Sequence, residues 1–284
     1  MTQTPPSVLS FDIEDWHQLV EWKLNGRLPA SSGNVLRQTD LILDALARHD
    51  VRATFFILGL VSEAHPDLVK RIQKAGHEVG SHGWSHTLIY RQTPDAFREE
   101  TRRSKLLLED QIGGPVFGYR AAEFSITNAS RWALDVLAEL GFQYDSSIFP
   151  IQGARYGIVD QPLTPHTIQT ASGPIVEVPL TAVDWRGKRW PIGGGGYFRL
   201  FPWSVTRRAL ARVSGEGRSP ILYFHPYEFS RPWLVPRLDS VGQYFSGARY
   251  VVFHNFNRGR NRARFERLLR DGQFITLKEL VARG

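Results

Sequence analysis

The chain has 284 residues, of which 42% are hydrophobic and 22% are charged, and its formal net charge is +7 at pH 7. This length and composition are typical of one large globular domain or two small ones. The absence of cysteine excludes disulfides, thiolate metal sites and cysteine nucleophiles. No basic stretch with an apolar core follows Met1, and no apolar run approaches the roughly 18 residues of a membrane span, so we expect a cytoplasmic protein.

Short apolar segments alternate with helical patterns through the first half of the chain. The predicted strands are Val8 to Phe11, Ala53 to Leu58, His77 to Gly80, Phe117 to Arg120 and Phe142 to Asp145. The predicted helices run from an N-cap at Asn34 to Ala47, from Pro66 to Gly76, from a cap at Thr93 to Gly113 and from a cap at Asn128 to Gly141. This alternation predicts an α/β fold with a parallel sheet, preferably barrel-like, whose active site lies at the carboxyl ends of the strands.

The alternation is lost between about Pro150 and Pro220. Ile175 to Leu180 is a predicted strand, and Ile221 to His225 is the last clear buried strand. For the glycine-rich segment Gly193 to Phe198, a mobile loop over the substrate and a simple connector are both open interpretations. Two closing helices are predicted at 265–269 and 277–281, around a short strand at 274–275. We found no internal repeat, so residues 1–284 are predicted to form a single domain.

Two histidines stand four residues apart in the segment Ser81 to His86. On a helical turn, the imidazoles of His82 and His86 would lie on the same face and could bind one ion. The acids that follow the first strand could supply a third ligand. Two histidines and one carboxylate, with a position left for water, are the ligand set of a catalytic divalent site.

The positive charge is mostly scattered, with one dense run from Arg258 to Arg264. A solvated loop and helix face is one interpretation of this run. The other is attraction to anionic phosphates, either of a lipid-linked or nucleotide-linked substrate or of a membrane. No recognised nucleic-acid module accompanies the run, so no nucleic-acid partner is predicted.

Five motifs occur in an order that resembles the NodB-homology polysaccharide deacetylases, carbohydrate esterase family 4, over roughly residues 8 to 228. In chain order they are Asp12, the pair His82 and His86, Arg120, Asp145 with Ser146, and Leu222 to His225. The sequence is most similar to the cytoplasmic branch linked to exopolysaccharide gene clusters, in 11–16, 193–198 and 225–229. The resemblance implies a distorted (β/α) barrel of about seven strands, with a core at about 8–228 and a C-terminal helical extension at about 229–284.

The resemblance also implies an activity, which is the metal-dependent removal of N-acetyl groups from amino sugars. Asp12 would be the catalytic base, His225 the catalytic acid and Arg120 the partner that keeps Asp12 ionised. A backbone N–H after Arg120 would stabilise the oxyanion. The implied cofactor is Zn²⁺, held by His82 and His86 with either Glu14 or Asp15, and both carboxylates remain open. The predicted substrate contacts are Phe124, Asp145, Tyr197 and Leu222.

The departures from the family pattern leave several points open. Ile148 stands where a further aspartate is often found, so the group that orients His225 is not identified, and Asp184 with Trp185 is a candidate. The predicted substrate is an N-acetylated saccharide of a polysaccharide or of its lipid-linked or nucleotide-linked precursor. The alternatives are a metal-dependent hydrolase of a ureide or cyclic imide, and a catalytically silent carbohydrate-binding module. The oligomeric state is not predicted.

Overall fold

The computed structural model describes residues 4–153, 155–240 and 243–283. The ends of the predicted domain, residues 1–3 and 284, lie outside the described residues. The strands are β1 (Ser7–Ile13), β2 (Thr54–Ile57), β3 (Glu78–Ser81), β4 (Gly118–Tyr119), β5 (Tyr144–Asp145), β6 (His166–Thr170), β7 (Gly173–Glu177), β8 (Ala182–Trp185), β9 (Lys188–Pro191), β10 (Ile221–Phe224) and β11 (Phe274–Ile275).

The main sheet contains seven parallel strands in the order β10-β1-β2-β3-β4-β5-β7, with β6 antiparallel at the edge beside β7. β11 pairs in parallel with the start of β1. In the register of the sheet, Phe11 lies opposite both Phe55 and Phe224. The carboxyl ends of β1, β2 and β10 therefore meet at one edge, and the predicted α/β class is confirmed.

The strand pairs of the main sheet do not form a closed ring. Within the described residues, β6 and β10 are not paired with each other. The chain after β7 does reach β10, because the backbone N–H of Ile221 donates to Thr181 Oγ1 at 2.5 Å and the Thr181 N–H donates to the Ile221 carbonyl oxygen at 3.4 Å. Residues after β7 therefore contact β10 through these hydrogen bonds rather than through a paired strand.

Most of the helices pack against the large core on the outer face of the sheet, whereas the last one packs against the smaller inner core through Leu277. The helices are α1 (Trp16–Asn25), α2 (Asn34–Arg48), α3 (Gly59–Ala64), α4 (Pro66–Lys74), α5 (Pro94–Ile112), α6 (Trp132–Glu139), α7 (Gly195–Leu200), α8 (Trp203–Gly215), α9 (Tyr244–Asn255), α10 (Arg258–Asp271) and α11 (Leu277–Val281). α5 begins after Thr93, whose hydroxyl accepts the Ala96 N–H, and ends at Gly113, as predicted. The predicted cap at Asn128 is wrong, because Asn128–Ser130 form a separate 3₁₀ turn capped by Thr127.

Side chains along the central strands alternate between two buried layers. Leu9, Phe11 and Ile13 of β1 belong to the large core beneath the helices. Val8 belongs to the smaller inner core, which also contains Phe56 of β2. Successive side chains of an extended chain point to opposite faces. The assignment of strand residues to the two cores therefore determines which residue beyond each strand end faces the inner layer.

The second half of the chain differs most from prediction. β6, the β8–β9 hairpin, α8 and α9 were not predicted. The interpretation of Gly193 to Phe198 as a mobile loop or a connector is wrong, since the segment is regular and largely buried. The Gly193 carbonyl oxygen accepts the Tyr223 N–H at 2.7 Å, Gly194 forms a parallel bridge with Tyr223, and α7 begins at Gly195.

Candidate metal centre and active site

The acids that follow β1 separate onto two sides of the chain. Asp12 and Glu14 share one phase and face the inner layer, where both are buried. Asp15 has the opposite phase and is the N-cap of α1. Its carboxylate accepts the Ser32 N–H at 2.6 Å and the hydroxyls of Ser31 and Ser32 at 2.9 and 2.8 Å. The structure therefore brings Glu14 and not Asp15 to the histidines, which corrects the inclusion of Asp15 among the ligands.

The segment that carries His82 and His86 is an irregular loop after β3, so the predicted helical turn is wrong. Gly83 has a φ of 75° and His86 a φ of 60°, and these left-handed conformations turn the chain back on itself. The two imidazole centroids nevertheless lie 5.5 Å apart. A tight turn, rather than a helix face, brings the rings together.

Glu14, His82 and His86 each place one potential ligand atom within 4.8 Å of the others. His82 Nδ1 lies 2.8 Å from the carbonyl oxygen of Arg120. A carbonyl oxygen can only accept, so Nδ1 carries the proton and Nε2 keeps its lone pair for an ion. Glu14 Oε2 lies 2.8 Å from His86 Nε2 but is buried without an aligned hydrogen bond. A shared divalent cation would satisfy both groups, so these residues fit a metal ion.

The electrostatics of the group agree with that role. Burial lowers the pKa of the His82 imidazole, which favours the neutral form that a ligand requires. Burial alone would raise the pKa of Glu14, but the imidazoles of His86 and His225 shift it well below its ordinary value. Glu14 is therefore a carboxylate at neutral pH.

Asp12 lies beside this group and is paired with the fully buried Arg120. One guanidinium nitrogen, Nη1, donates to Asp12 Oδ1 at 2.9 Å and to Ser10 Oγ at 2.7 Å. The other N–H groups donate to the Ser146 carbonyl oxygen at 3.0 Å and to Ser146 Oγ at 2.8 Å. Arg120 is thus held on every side, and it holds the Asp12 carboxylate in one orientation.

His225 follows β10 and reaches the same site, because β10 is the parallel neighbour of β1. Its Nε2 lies 3.3 Å from Glu14 Oε1, and its ring stacks on Tyr227 with centroids 5.1 Å apart. Burial would lower the pKa of His225, but the carboxylates of Glu14 and Glu228 raise it to about 9. The imidazole is therefore a proton donor at neutral pH.

Glu228 is the carboxylate nearest the Nδ1 atom of His225, on the side of the ring away from Glu14. Its role was not predicted from the sequence. Glu228 Oε1 lies 3.8 Å from His225 Nδ1 and 3.6 Å from Arg199 Nη2, and all three side chains are largely buried. Glu228 Oε2 accepts the His225 backbone N–H at 3.4 Å. Asp184, the predicted candidate, is instead exposed on β8 and pairs with Arg189. The sequence signal that could have identified Glu228 is Pro226, which begins a short turn directly after His225. This turn brings the Glu228 side chain back to the backbone of His225, the N-cap residue.

The glycine run makes room for this arrangement. A Cβ atom on Gly195 would lie 1.8 Å from Glu228 Oε2, and one on Gly194 would lie 2.7 Å from the Tyr223 hydroxyl oxygen. Gly196 differs, since its Cβ would meet only the end of a flexible arginine at 4.0 Å. Two of the glycines therefore bring backbone against the groups that surround His225.

Of the four predicted substrate contacts, Tyr197 is half-buried and lines a cavity, whereas Phe124 is only 5% exposed and belongs to the inner core. The Phe124 ring packs on Tyr223 and Tyr156, with centroids 4.7 and 6.2 Å apart. Tyr197 hydrogen-bonds Tyr156 through their hydroxyls at 3.3 Å. A cavity of about 260 Å³, lined in part by Tyr156, Tyr197 and Arg155, lies beyond these aromatic rings.

The other two predicted contacts, Asp145 and Leu222, are fully buried, so the prediction is wrong for both. Leu222 lies in the outer core because it alternates with Tyr223 and His225. Asp145 lies with Glu177 in the interior, where burial raises the pKa of Asp145 to about 6 and raises the pKa of Glu177 well above its ordinary value. Tyr223, with its ring 5.8 Å from His225, is the residue of β10 that sequence reasoning missed.

The first backbone N–H after Arg120 does not fit the predicted oxyanion role. The Ala121 N–H donates to Ser147 Oγ at 2.7 Å, and this hydroxyl donates to Asp145 Oδ1 at 2.5 Å. An oxyanion donor would have to come from Ala122 or Glu123, whose N–H groups begin a 3₁₀ turn and have no partner within it.

Parts of the chain are similar to known polysaccharide deacetylases. Residues 33–144 match the family model described as polysaccharide deacetylase, and residues 146–282 match a domain of unknown function, DUF3473. A peptidoglycan-N-acetylglucosamine deacetylase of Bacillus cereus is 34% identical over 109 residues, which are 38% of this chain and 40% of that relative. Each of these matches covers less than half of this chain, and they show similarity to polysaccharide deacetylases over residues 33–144.

Solved structures share the fold along nearly the whole chain. A Mycobacterium smegmatis protein, provisionally assigned as a polysaccharide deacetylase, superposes with a TM-score of 0.66 at 18% identity and covers 100% of this chain and 91% of its own. The PuuE allantoinase superposes with a TM-score of 0.55 at 14% identity, over 95% of this chain and 96% of that one. At these identities the likeness concerns the fold alone. No helix in the described ranges is long and apolar enough to cross a bilayer.

Proposed function

We propose that this protein is a metal-dependent N-deacetylase of N-acetylated amino sugars. The observation that supports this most strongly is the convergence of Glu14, His82 and His86 between a carboxylate, Asp12, and a protonated imidazole, His225. Amide hydrolysis needs a base for the attacking water and an acid for the leaving nitrogen, and these two groups flank one point.

The residues have separate tasks in this reaction. A divalent ion held by Glu14, His82 and His86, for which we propose Zn²⁺, would polarise the acetamide carbonyl and lower the pKa of a water molecule. Asp12 accepts the proton of the attacking water, and Arg120 keeps its carboxylate ionised and aimed. His225 donates a proton to the sugar nitrogen as the C–N bond breaks. The products are acetate and the free amine.

For the substrate, we propose an acetylated saccharide on an anionic lipid or nucleotide diphosphate, within the exopolysaccharide-linked branch. This is supported by the similarity at 11–16 and 225–229 and by the +7 charge. The cavity beside Tyr156 and Tyr197 is large enough for a sugar ring and offers aromatic faces for stacking. The carrier would be recognised by charge, so its contribution should weaken with salt.

The test is mass spectrometry of N-acetylated oligosaccharides and of a diphosphate-linked N-acetyl sugar after incubation with zinc-loaded protein. We expect loss of one acetyl group, faster for the carrier-linked sugar at low salt. Asp12→Asn should keep the metal and lose turnover, whereas His82→Ala should lose both. Acetyl loss that survives exhaustive chelation would contradict the metal mechanism. Turnover of a ureide with no acetyl loss would instead favour the alternative hydrolase.

A further inference from the structure

The outward face of α9 carries several large exposed apolar side chains around one exposed arginine, Arg249, whereas an ordinary surface helix is polar on that face. Phe245 is 89% exposed, and Val252 and Phe256 follow it on the same side of the helix at spacings of seven and four residues. Phe253 is 66% exposed beside them. Large exposed apolar patches are uncommon on free protein surfaces and usually mark a contact with a partner or a membrane.

A second apolar segment lies against the same helix. Asn255 of α9 hydrogen-bonds the N–H and carbonyl groups of Leu234 at 2.9 Å each, which fixes this loop beside the helix. The residues on either side, Trp233 and Val235, are 72% and 58% exposed. We call the set Trp233, Val235, Tyr244, Phe245, Val252, Phe253 and Phe256 the α9 patch.

The surroundings of the α9 patch are strongly basic. Residues 229–265 contain seven arginines and one acid, Asp239, a net charge of +6 against +7 for the whole chain. Arg231, Arg249 and Arg260 are exposed next to the patch in sequence and form no ion pair with a described acid. Not all of the run is free, since Arg264 donates to backbone carbonyls of α7.

The inner face of α9 borders the active site. His254 packs on Tyr227 with ring centroids 5.6 Å apart, and Tyr227 stacks on His225. His254 also stacks on Tyr250 of its own helix, at 5.7 Å. The α9 patch is therefore separated from the catalytic imidazole by about one helix diameter, roughly 10 Å.

We propose that the α9 patch is a docking surface for a bilayer with anionic headgroups. Exposed aromatic residues on one helix face enter the headgroup region, while neighbouring arginines bind lipid phosphates, and the charge of residues 229–265 is complementary to such a surface. Docking would hold the site close to the headgroups. Whether docking brings the site to a lipid-linked saccharide rests on the function proposed above. The docking itself does not rest on that function.

The experiment is co-sedimentation of the full chain with vesicles, without any substrate. We expect binding to phosphatidylcholine vesicles that contain phosphatidylglycerol, at least tenfold tighter than to pure phosphatidylcholine, and weaker in high salt. The double variant Phe245→Ser with Phe253→Ser should bind at least tenfold more weakly. Leu106→Ser is the matched control, because Leu106 is an exposed apolar residue on α5, and it should bind like wild type.

Circular dichroism and hydrolysis of a soluble acetylated sugar establish that the variants are folded. Failure of wild type to bind the anionic vesicles, or equal binding by the double variant, would overturn the proposal. It would also be overturned if sedimentation velocity showed a wild-type dimer that the double variant abolishes, since the patch would then be an interface between copies. Because vesicle binding is measured without turnover, its result is independent of whether the deacetylase assignment holds.

Discussion

Replacing Gly195 by alanine tests whether Glu228 positions the proton donor. The added Cβ would lie 1.8 Å from Glu228 Oε2 and 2.5 Å from its Cδ atom. The carboxylate would have to retreat by 1.2 Å to reach even 3.0 Å, and it is fully enclosed. The retreat would disturb its contacts with both His225 and Arg199. The neighbouring Gly196→Ala is the matched control, since it adds the same methyl group to the same helix without a clash.

The expected change in the free energy of unfolding has opposite signs for Gly195→Ala and Gly196→Ala. Forcing one methyl group into a packed interior costs about 1–3 kcal/mol. If Arg199 lost its carboxylate partner entirely, the loss of stability could approach the roughly 3–5 kcal/mol that breaking a buried ion pair costs. This value is the upper limit. Gly196→Ala should instead stabilise the protein by up to about 0.5–1 kcal/mol, because alanine favours the helix and loses less backbone entropy.

Two assays separate positioning from folding. Urea unfolding gives the change in stability of each variant. Turnover is then compared between an N-acetyl sugar and 4-nitrophenyl acetate, whose leaving group needs no proton donor. We expect Gly195→Ala to lower kcat for the amide by about tenfold or more with little effect on the ester, since general acid catalysis contributes roughly 10²–10⁴-fold. If Gly195→Ala matched Gly196→Ala in both assays, the role assigned to Glu228 would be wrong.

Three further predictions follow from the buried charges. Glu14→Gln should lose bound metal, whereas Asp15→Ala should keep it and lose about 1–2 kcal/mol of stability with its cap; metal analysis and urea unfolding check this, and metal loss only in the Asp15 variant would reverse the assignment. The raised pKa values of Asp145 and Glu177 mean that this pair binds protons more tightly in the folded state, so its own contribution to stability should be fully present below about pH 4 and be lost as pH rises through about 6. Glu177→Gln should flatten that fall in urea unfolding at pH 4.5 and 7.5, and an unchanged slope would contradict it. Arg120→Ala should cost about 3–5 kcal/mol, because Asp12 is left buried without its partner; a loss below about 1 kcal/mol would refute this.

The first half of the fold could be predicted because local signals agreed with the tertiary structure. Thr93, Pro94 and Gly113 bound α5 as their conformational preferences require. The β8–β9 hairpin and α9 could not be predicted in the same way. Their largest apolar residues do not mark a buried face, since Trp185, Trp190 and Phe253 are 54%, 41% and 66% exposed. Hydrophobic periodicity predicts an element only where its apolar residues are buried, so apolar residues on an exposed surface give no such pattern.

The site could be predicted in part, and its errors share one cause. Asp15 and Leu222 were included because they stand in the right motif, but each is one residue out of phase with the chain's inward face. The alternation that places Asp12 and Glu14 together already favoured Glu14. Glu228 escaped notice because its relation to His225 depends on a tight turn and on the absence of a side chain at Gly195, which is far away in sequence.

The active site is assembled from parts of the chain that no single family model spans. Asp12 and Glu14 lie before the deacetylase match at 33–144, His82, His86 and Arg120 lie within it, and the proton donor lies in the match of unknown function at 146–282. The pairing of β1 with β10 is what joins these parts, since it places Phe11 opposite Phe224 and hence Asp12 beside His225. In the proposed mechanism, the residues after 146 are therefore part of the active site. They supply the imidazole, the carboxylate beside it and the helix whose inner face packs on Tyr227, so changes to this part of the chain should alter proton donation while metal binding persists.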